Sequence, residues 1–438
     1  MLLYPNSKKA SSHSARGPTE PCGDMKTIKS EKYMMQSTSI AHAVKLLVAT
    51  VVAGGFIGSA FAAEGTTRVI VKFKDGRVNA NSMKATVAAA KGDVKHEIFG
   101  TNAMAIEVPL SAIAGLKNNP NVEYVEEDHK RYPFAVSTPS TGTPYLLGQS
   151  VPYGIKLVQA DLLPDTNSGN RKVCIIDSGI DRAHEDLVGN SVNMTGQYDS
   201  GTGNWYQDQN SHGTHVAGTI AGVNNSGVGV VGVNSNKRLK LHIVKVFGAS
   251  GWAYSSTLSS AANQCASAGA NVISMSLGGP SYNSTENSTF ANLASRGILS
   301  VAAAGNAGNT SISYPAGYSA VMMVGAVNEY KQWASFSQYN SKVEITGPGV
   351  SVMSTVPLAV KGVKYANFNG TSMSTPHVAG VAALVWSYFP TCTGNQIRTT
   401  LSKSAQDLGT VGRDTKYGFG LVQARAAYDR IRTYGCGV

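Results

Sequence analysis

The chain reads KVCIID at residues 172–177, four apolar residues followed by a carboxylate where a strand should end. Helical stretches separate four further apolar runs, which are LKLHIVKVF (239–247), NVISMSL (271–277), ILSVAAAGN (298–306) and VMMVGAV (321–327). Strands that are apolar on both faces and alternate with helices are typical of a buried parallel sheet. We therefore predict an α/β fold with a doubly wound, mostly parallel sheet and functional groups beyond the carboxyl ends of its strands.

A different order of elements precedes this sheet. Residues 68–127 read as strand, helix, strand, strand, helix and strand, from RVIVKF (68–73) to NVEYVEE (121–127). This βαββαβ order predicts a small α+β, ferredoxin-like domain with an antiparallel sheet and two helices. Residues 128–148 are rich in Pro, Ser, Thr and Gly, a composition typical of an exposed linker.

The N-terminal region has the pattern of an export signal. The apolar run LLVATVVAGGFI (46–57) follows several lysines and precedes Ala60-Phe61-Ala62, whose small residues suit cleavage after Ala62. The run is short for a helix that spans a bilayer. We expect residues 1–62 to be a leader and signal peptide, with Met25 as a more natural start than Met1. The exported protein would then be secreted, with no membrane attachment.

Composition and charge exclude several other classes of protein. A hydrophobic content of 42% in 438 residues is enough for a packed core in two or three folded units, which excludes a largely disordered chain. The net charge of +11 is spread along the sequence, without a block of five like charges or a Cys and His finger spacing. This distribution argues against nucleic acid as a partner.

Three polar residues form a candidate catalytic set. Asp177 ends an apolar strand, His212 begins HGTHVAGT, and Ser372 lies in NGTSMSTPHVAG just before an apolar helix. Separately, Asp177 could be a turn former and Ser372 a helix N-cap. A metal pair of His212 and His215 is disfavoured because no acidic residue lies between them, and His215 and His377 fit structural positions in runs of Val and Ala. Together, carboxylate, imidazole and hydroxyl are the minimum for serine hydrolysis.

Five motifs in this order resemble the subtilisin-like serine protease family: IDSGID, HGTHVAG, SMSLGGP, AAAGN and NGTSMSTPHVAG. The resemblance covers nearly the whole exported chain. It implies that Asp177 supports His212 as the base for Ser372, and that Asn306 is the side-chain oxyanion donor, for which a turn residue is the alternative. The implied activity is that of a secreted serine endopeptidase that needs no cofactor for catalysis.

The same resemblance divides the chain into functional segments. After the leader of residues 1–62, residues 63–131 resemble the family's inhibitor-like propeptide, which would serve as intramolecular inhibitor and folding aid. Residues 132–148 would be the linker that a self-processing zymogen cuts, and residues 149–438 the catalytic domain, which we expect to be monomeric. A noncatalytic scaffold is disfavoured because the catalytic set is complete. A serine esterase is disfavoured because the GxSxG elbow is absent.

Substrate binding is also implied by the resemblance. Ser276, Leu277 and Gly278 correspond to the strand that pairs with an extended protein or peptide substrate. Ala304 would line an apolar slot for one substrate side chain, and Ser313 falls where the family often has glycine. No acidic residue lies near the slot in sequence to attract Lys or Arg.

A structural calcium site is implied where the N-terminal segment meets the loop 223–230. The ligands would be side-chain and backbone oxygens, the type of donor that Ca²⁺ prefers. They would come from Gln149, Asp186, Val223, Asn225, Val228 and Val230. Gly227 is one residue more than the common family loop has, and an ordinary Gly-rich turn is the alternative.

Four cysteines follow Cys22, and an oxidising compartment would allow them to form two disulfides. Cys392 and Cys436 bracket the last two helical stretches, so we expect them to be joined. Cys174 lies on a core strand and Cys265 on a crossover helix, and these would form the second bridge. Four buried thiols are the alternative, because spacing alone does not fix connectivity.

Overall fold

The computed structural model describes residues 65–134, 136–137, 148–199, 201–225, 227–248 and 251–438. The predicted signal run, the cleavage site after Ala62, the start at Met25 and most of the predicted linker lie outside these residues. Among the described residues, no helix combines the length and apolar character needed to cross a membrane.

The strands and helices follow the predicted alternation. In chain order the strands are β1 (Thr66–Phe73), β2 (Asp93–Glu97), β3 (Ala103–Pro109), β4 (Val122–Glu127), β5 (Lys130–Pro133), β6 (Val136–Ser137), β7 (Lys172–Asp177), β8 (Met194–Gly196), β9 (Lys240–Lys245), β10 (Ala253–Tyr254), β11 (Val272–Met275), β12 (Leu277–Gly278), β13 (Leu299–Ala303), β14 (Val321–Val327), β15 (Val343–Pro348), β16 (Val352–Thr355) and β17 (Tyr365–Asn369). The helices are α1 (Ala80–Ala89), α2 (Ile113–Lys117), α3 (Tyr153–Leu157), α4 (Glu185–Val188), α5 (His212–Ala221), α6 (Ser255–Ser267), α7 (Ser284–Ser295), α8 (Leu358–Lys361), α9 (Thr371–Tyr388), α10 (Gly394–Lys403) and α11 (Ala424–Tyr434).

The first four strands form an antiparallel sheet in the order β2-β3-β1-β4, with α1 and α2 following β1 and β3 in the chain. Helix α1 begins after Asn79, whose side chain accepts a hydrogen bond from the Ser82 amide at 2.9 Å. Apolar residues of the strands, among them Val71 and Ile106, pack with Val87 of α1 in one buried cluster. The predicted ferredoxin-like arrangement is therefore confirmed.

The large sheet has seven parallel strands in the order β15-β14-β13-β11-β7-β9-β8. Successive side chains of β7 enter opposite clusters: Val173 and Ile175 pack with residues of α5 and α9, whereas Cys174 and Ile176 pack with residues of α6 and α7. Helices thus cover both faces, which explains why the strands are apolar throughout. The predicted doubly wound α/β sheet is confirmed.

Two disulfides secure this larger domain. Cys174 of β7 is bonded to Cys265 of α6, and Cys392 is bonded to Cys436 beyond the end of α11, each with 5.6 Å between the Cα atoms. Both bridges join the cysteines that the sequence analysis paired. One ties the inner strand β7 to a covering helix, and the other closes the C-terminal pair of helices.

Two carboxylates at the end of β4 join the small domain to the large one. Glu126 accepts hydrogen bonds from the backbone amides of Ser284 and Thr285, at 2.7 and 2.8 Å, at the start of α7. Asp128 accepts from the Ser256 amide at 2.9 Å and from the Ser256 hydroxyl at 2.7 Å, at the start of α6. The small domain therefore supplies acceptors for the otherwise unpaired N–H groups of both helices.

Candidate active site

Asp177 and His212 meet beyond the carboxyl end of β7. Asp177 is the last residue of that strand, and His212 is the first residue of α5. The imidazole Nδ1 lies 2.8 and 2.9 Å from the two carboxylate oxygens, and both side chains are buried. The other ring nitrogen, Nε2, has no hydrogen-bond partner among the described residues. This arrangement fixes the ring and leaves one nitrogen free to exchange a proton.

Ser372 is the second residue of α9, next to the strand end at Ser276. Its hydroxyl donates a 2.9 Å hydrogen bond to the Ser276 carbonyl rather than to His212, and the Ser276 hydroxyl donates to the Ser372 carbonyl at 2.8 Å. The N-cap position belongs to Gly370, whose φ of 149° suits glycine. The alternative that Ser372 caps the helix is therefore wrong.

The Asn306 side chain is fixed by the residue before Ser372. Its Oδ1 accepts hydrogen bonds from the Thr371 amide and the Thr371 hydroxyl, both at 2.9 Å. The Nδ2 group is thereby aimed away from α9 and donates a 2.8 Å hydrogen bond to the carbonyl oxygen of Phe134. Asn306 thus holds a backbone carbonyl of the chain's own N-terminal part.

Strand β5 occupies the crevice in front of these groups. It lies between β10 and β12 and is antiparallel to both, with Arg131 opposite Ala253 and Tyr132 opposite Gly278. The amide of Phe134 extends the pairing and donates to the Ser276 carbonyl at 3.2 Å. Residues 130–133, which straddle the predicted boundary between propeptide and linker, therefore bind as an added strand.

The Phe134 ring packs against the backbone of Gly278. A Cβ atom at Gly278 would lie 2.6 Å from Cε2 of that ring, so a larger residue would obstruct it. Ala304 is fully buried in the apolar cluster that also contains Leu277. Ser313 is also buried, with its hydroxyl 3.5 Å from Oε1 of Gln338.

At the other end of β5, Arg131 forms an ion pair with Glu286 of α7, and both side chains are fully buried. The guanidinium Nε and Nη2 donate to the two carboxylate oxygens at 3.0 and 2.7 Å. Nη2 also donates to the Ser281 carbonyl at 3.0 Å, and the Tyr318 hydroxyl donates to the carboxylate at 2.7 Å. Burial raises the pKa of Glu286, and the Arg131 guanidinium opposes that rise.

The chain is paired again just beyond Phe134. Strand β6 lies antiparallel to β17, with Val136 opposite Asn369 and Ser137 opposite Phe368. Asn369 directly precedes Gly370, the N-cap of α9. The covalent chain is therefore held on both sides of the Phe134 carbonyl.

Five of the six residues predicted to bind calcium form one connected cluster. The Gln149 amide nitrogen donates to the Val223 carbonyl at 2.8 Å and lies 3.4 Å from Oδ1 of Asn225. Asp186 accepts from the Asn225 amide group at 2.9 Å and from the Val230 amide at 2.6 Å. The N-terminal segment and the 223–230 loop do meet here.

The carboxylate of this cluster is fully buried. Burial raises the pKa of Asp186 to about 6. Gly229 lies against it, since a Cβ atom there would lie 2.0 Å from Oδ2 of Asp186. Val228, the sixth predicted ligand, is exposed, and its backbone carbonyl is the one oxygen that it could offer. Among the described residues, no group of three or more His, Cys, Asp or Glu side chains is arranged to hold a metal.

Comparison with known proteins assigns both domains. Residues 168–420, more than half of the chain, match the model of the subtilase family, and residues 66–128 match the model of the fervidolysin N-terminal prodomain. The chain belongs to the subtilase family. It is a subtilisin-like serine peptidase with an N-terminal prodomain, as its motifs predicted.

Similar subtilases cover most of the chain. Subtilisin amylosacchariticus of Bacillus subtilis subsp. amylosacchariticus is 39% identical over 368 residues, which are 82% of this chain and 90% of that protein. An alkaline protease of Alkalihalobacillus alcalophilus is 41% identical over 340 residues, 76% of this chain and 81% of that protein. Among solved structures, fervidolysin from Fervidobacterium pennivorans, described as a keratinolytic enzyme related to subtilisin, has a TM-score of 0.69 at 28% identity and covers 84% of this chain and 61% of that one. The psychrophilic subtilisin-like protease Apa1 of Pseudoalteromonas sp. AS-11 has a TM-score of 0.61 at 34% identity and covers 66% of this chain and all of that one.

Two carboxylates of this subtilase site were not singled out in the sequence. Glu286 follows Asn283 by three residues and reads as an ordinary polar residue in the first turn of a helix. Asp208 is buried and accepts from the Thr214 amide and hydroxyl, at 2.9 and 2.6 Å, and from the Ser178 hydroxyl at 2.9 Å. It ties the start of α5 to the residue after Asp177. The HGTHVAG motif lies four residues beyond it, which is the signal that could have drawn attention to Asp208.

Proposed function

We propose that the protein is a secreted serine endopeptidase made as a zymogen that cuts itself between Phe134 and Ala135. Residues 1–62 are the leader and signal peptide. The propeptide begins at residue 63 and extends beyond the predicted 131 to Phe134. The catalytic domain is the predicted 149–438, and in the mature chain a segment from Ala135 precedes it. The apolar run at 46–57 and the two disulfides support export into an oxidising compartment.

One observation carries the proposal: the Phe134 carbonyl accepts a hydrogen bond from Asn306 Nδ2 at 2.8 Å. The Phe134 amide and the Ser372 hydroxyl both donate to the Ser276 carbonyl, so the attacking oxygen and the attacked residue share one acceptor. A carbonyl held by a fixed side-chain donor is the geometry of an oxyanion site. These contacts support the proposal that the chain's own segment binds as a substrate does.

The reaction follows from the roles of three side chains. The Ser372 hydroxyl turns from the Ser276 carbonyl, transfers its proton to His212 Nε2 and attacks the Phe134 carbonyl carbon. Asp177 holds the ring and stabilises the imidazolium. Asn306 Nδ2 and the Ser372 amide stabilise the negative oxygen of the tetrahedral intermediate.

The intermediate then collapses. The carbon–nitrogen bond to Ala135 breaks as His212 returns the proton to the leaving amine, which leaves an acyl-enzyme. Water, activated by the same imidazole, hydrolyses the acyl-enzyme and restores the Ser372 hydroxyl. Peptide bonds of extended protein substrates are cut by the same steps once the propeptide has left the crevice.

N-terminal sequencing and intact mass of the protein in the culture medium test this proposal. We expect a mature chain that begins at Ala135, and a Ser372→Ala variant that remains an uncut precursor without activity on casein. The exposed Ser295 provides the matched control, because Ser295→Ala should mature normally. A Ser372→Ala protein that matured in the absence of other proteases would refute self-processing, and one that cleaved casein would refute the catalytic assignment.

The released propeptide is an inhibitor in this proposal, because its C-terminal strand fills the crevice as a product. The inhibitory segment ends at Phe134, since residues 132–134 supply the contacts to Ser276, Gly278 and Asn306. Separately made chains ending at residue 134 and at residue 131 should therefore differ, with the longer one binding the mature enzyme more tightly. If the two chains had equal inhibition constants, residues 132–134 would contribute nothing to binding of the propeptide.

We propose further that a structural calcium ion binds at the cluster around Asp186. The donor set fits, because a buried carboxylate, two side-chain amides and the Val223 carbonyl are oxygen donors of the type that Ca²⁺ prefers. The Gln149 amide nitrogen lies between two oxygens, the Val223 carbonyl and Oδ1 of Asn225, where a cation would find the same partners. An amide orientation is assigned from its hydrogen bonds, so the Gln149 oxygen can take that side.

Thermal inactivation with and without calcium tests the site. We expect inactivation to be faster in EDTA, slower again with added calcium, and independent of both in an Asp186→Asn variant. The exposed Asp161→Asn variant is the control. Identical inactivation rates of the unaltered enzyme in chelator and in millimolar calcium would contradict the site.

A further inference from the structure

The Arg131 side chain lies three residues before the carbonyl held by Asn306. It is fully buried, whereas the neighbouring Tyr132 is 44% exposed, so the crevice encloses one of these two side chains and leaves the other in solvent. The enclosing residues belong to the catalytic domain: Glu286, Ser281 and Tyr318 contact the guanidinium or its partner carboxylate. The pocket therefore belongs to the catalytic domain, and the prodomain's Arg131 fills it in this structure.

The chemistry of this pocket matches a guanidinium. Two parallel hydrogen bonds join Arg131 to both oxygens of Glu286, the bidentate geometry that distinguishes arginine from lysine. The third contact, from Nη2 to the Ser281 carbonyl, uses another donor of the same planar group. Tyr318 in turn donates to the carboxylate and holds it in place.

An extended peptide could enter the same pocket by the same backbone pairing. Strand β5 is held through main-chain pairing with β10 and β12, which any extended peptide can reproduce. A substrate whose scissile carbonyl is held by Asn306 therefore presents its own side chain, three residues earlier, to Glu286. An apolar side chain there would leave the buried carboxylate without a cationic partner, with the Tyr318 hydroxyl still donating to it, and this is unfavourable.

We propose that Glu286 makes the mature enzyme select arginine at the position three residues before the residue whose carbonyl is attacked. This inference rests on the proposed function, and it identifies the substrates as proteins with an accessible extended segment that carries arginine three residues before the residue whose carbonyl is attacked. Glu286 is the specificity-determining residue of that pocket. The autoprocessing segment Arg131-Tyr132-Pro133-Phe134 is the chain's own example.

A pair of peptides measures the preference. The p-nitroanilides of acetyl-Arg-Tyr-Pro-Phe and of its citrulline analogue have nearly the same shape but differ in the charge of the first side chain. We expect kcat/KM of the mature enzyme to be at least about tenfold higher for the arginine peptide. Binding of the two product peptides, acetyl-Arg-Tyr-Pro-Phe and its analogue, is measured by calorimetry as a readout that needs no turnover.

Two variants assign the preference to the pocket. Glu286→Gln keeps the shape and removes the charge, and we expect the arginine to citrulline ratio to fall to near one. Because this variant buries Arg131 without its partner and could block maturation, the paired variant Arg131→Leu with Glu286→Leu replaces both charges by apolar groups. We expect the paired variant to mature and to prefer the leucine analogue of the peptide.

The outcomes separate this inference from the proposed function. Equal hydrolysis of the arginine and citrulline peptides by the unaltered enzyme would overturn the arginine pocket and leave the peptidase proposal intact. Preferential binding of the arginine product without hydrolysis of any peptide would support the pocket and overturn the proposed function. A preference that survives Glu286→Gln or the paired variant would overturn the role of Glu286.

Discussion

The prodomain and the catalytic domain are both sheets with packed helices, but they are secured in different ways. The catalytic sheet is covered on both faces and is tied by two disulfides. The prodomain sheet of residues 66–127 contains no cysteine, and its main apolar cluster is much smaller. The prodomain contacts the larger domain through hydrogen bonds of Glu126 and Asp128 and through strand β5 in the crevice. Under the proposed function, this difference fits a catalytic domain that stays folded and a prodomain that is released after a single cleavage.

We expect the largest effect from Asn306→Ala, because this variant should slow the cleavage that separates the prodomain from the catalytic domain. Loss of one side-chain oxyanion donor costs about 10²–10³ in kcat, the loss measured for such a donor in a subtilisin. We expect the uncut precursor to accumulate and the matured fraction to lose activity by this factor, as measured by single-turnover processing and by kcat on a peptide. Asn328→Ala, which removes an exposed hydrogen bond to the Tyr330 amide in a turn, is the control. A change confined to KM would contradict the role of Asn306.

Removal of the C-terminal disulfide should lower the stability of the catalytic domain and leave the prodomain unchanged. Cys392→Ser with Cys436→Ser opens a loop that spans 44 residues, and such a loss costs about 2–4 kcal/mol of the free energy of unfolding. We expect a lower Tm of the inhibited mature enzyme by calorimetry, and an unchanged inhibition constant of residues 63–134 for that enzyme. An unaltered Tm of the enzyme would mean that packing alone fixes the last two helices.

Asp128→Ala should weaken only the hold of the prodomain. The carboxylate accepts two hydrogen bonds from Ser256 at the start of α6 and another from Arg68. Loss of such a charged cap should raise the inhibition constant of residues 63–134 by about tenfold to hundredfold. Asp93→Ala, on the exposed edge of the prodomain, is the matched control. If both variants inhibit equally well, the cap contributes nothing to binding.

Mild acid should destabilise the catalytic domain, and we expect this effect to be smaller than those of the three preceding variants. Burial lowers the pKa of His215 to about 3 and that of His377 to about 4. Because the unfolded chain binds protons below about pH 6.5 and these folded side chains do not, stability falls as the pH falls through this range. We expect a loss of about 1 kcal/mol or less per histidine from pH 7 to pH 6, measured by urea unfolding of the inhibited enzyme. His377→Gln should reduce that slope, and an unchanged slope would assign the acid sensitivity to other groups.

The sequence was sufficient to predict those elements whose structure is determined by their own hydrophobic pattern. The bounds of β7 and β14 agree with the predicted runs because buried parallel strands are apolar on both faces. The motifs also indicated that Asp177 ends a strand and that His212 begins a helix, and the structure joins these two side chains by hydrogen bonds. Ser372 lies at the start of α9, as its motif predicted. The disulfides followed from the elements on which the cysteines lie.

The remaining features depend on contacts between distant residues. Arg131 and Glu286 are separated by 155 positions, and neither has a local pattern that indicates its partner. The predicted linker began at residue 132, although residues 132 and 133 belong to β5, because strand addition depends on β10 and β12 rather than on the segment's own composition. The Ser372 hydroxyl orientation likewise depends on a carbonyl 96 positions away.

The caps that Glu126 and Asp128 place on α7 and α6 have a consequence for folding. Forming the first turn of a helix is unfavourable, and the prodomain satisfies N–H groups in the first turns of both helices while they assemble. Once the prodomain is removed, a denatured mature chain must form both helices without that help. We therefore expect the mature enzyme to refold slowly or not at all unless residues 63–134 are added back. Cleavage after Phe134 would then make folding irreversible in practice, because a mature molecule that unfolds has lost the segment that helped it to fold.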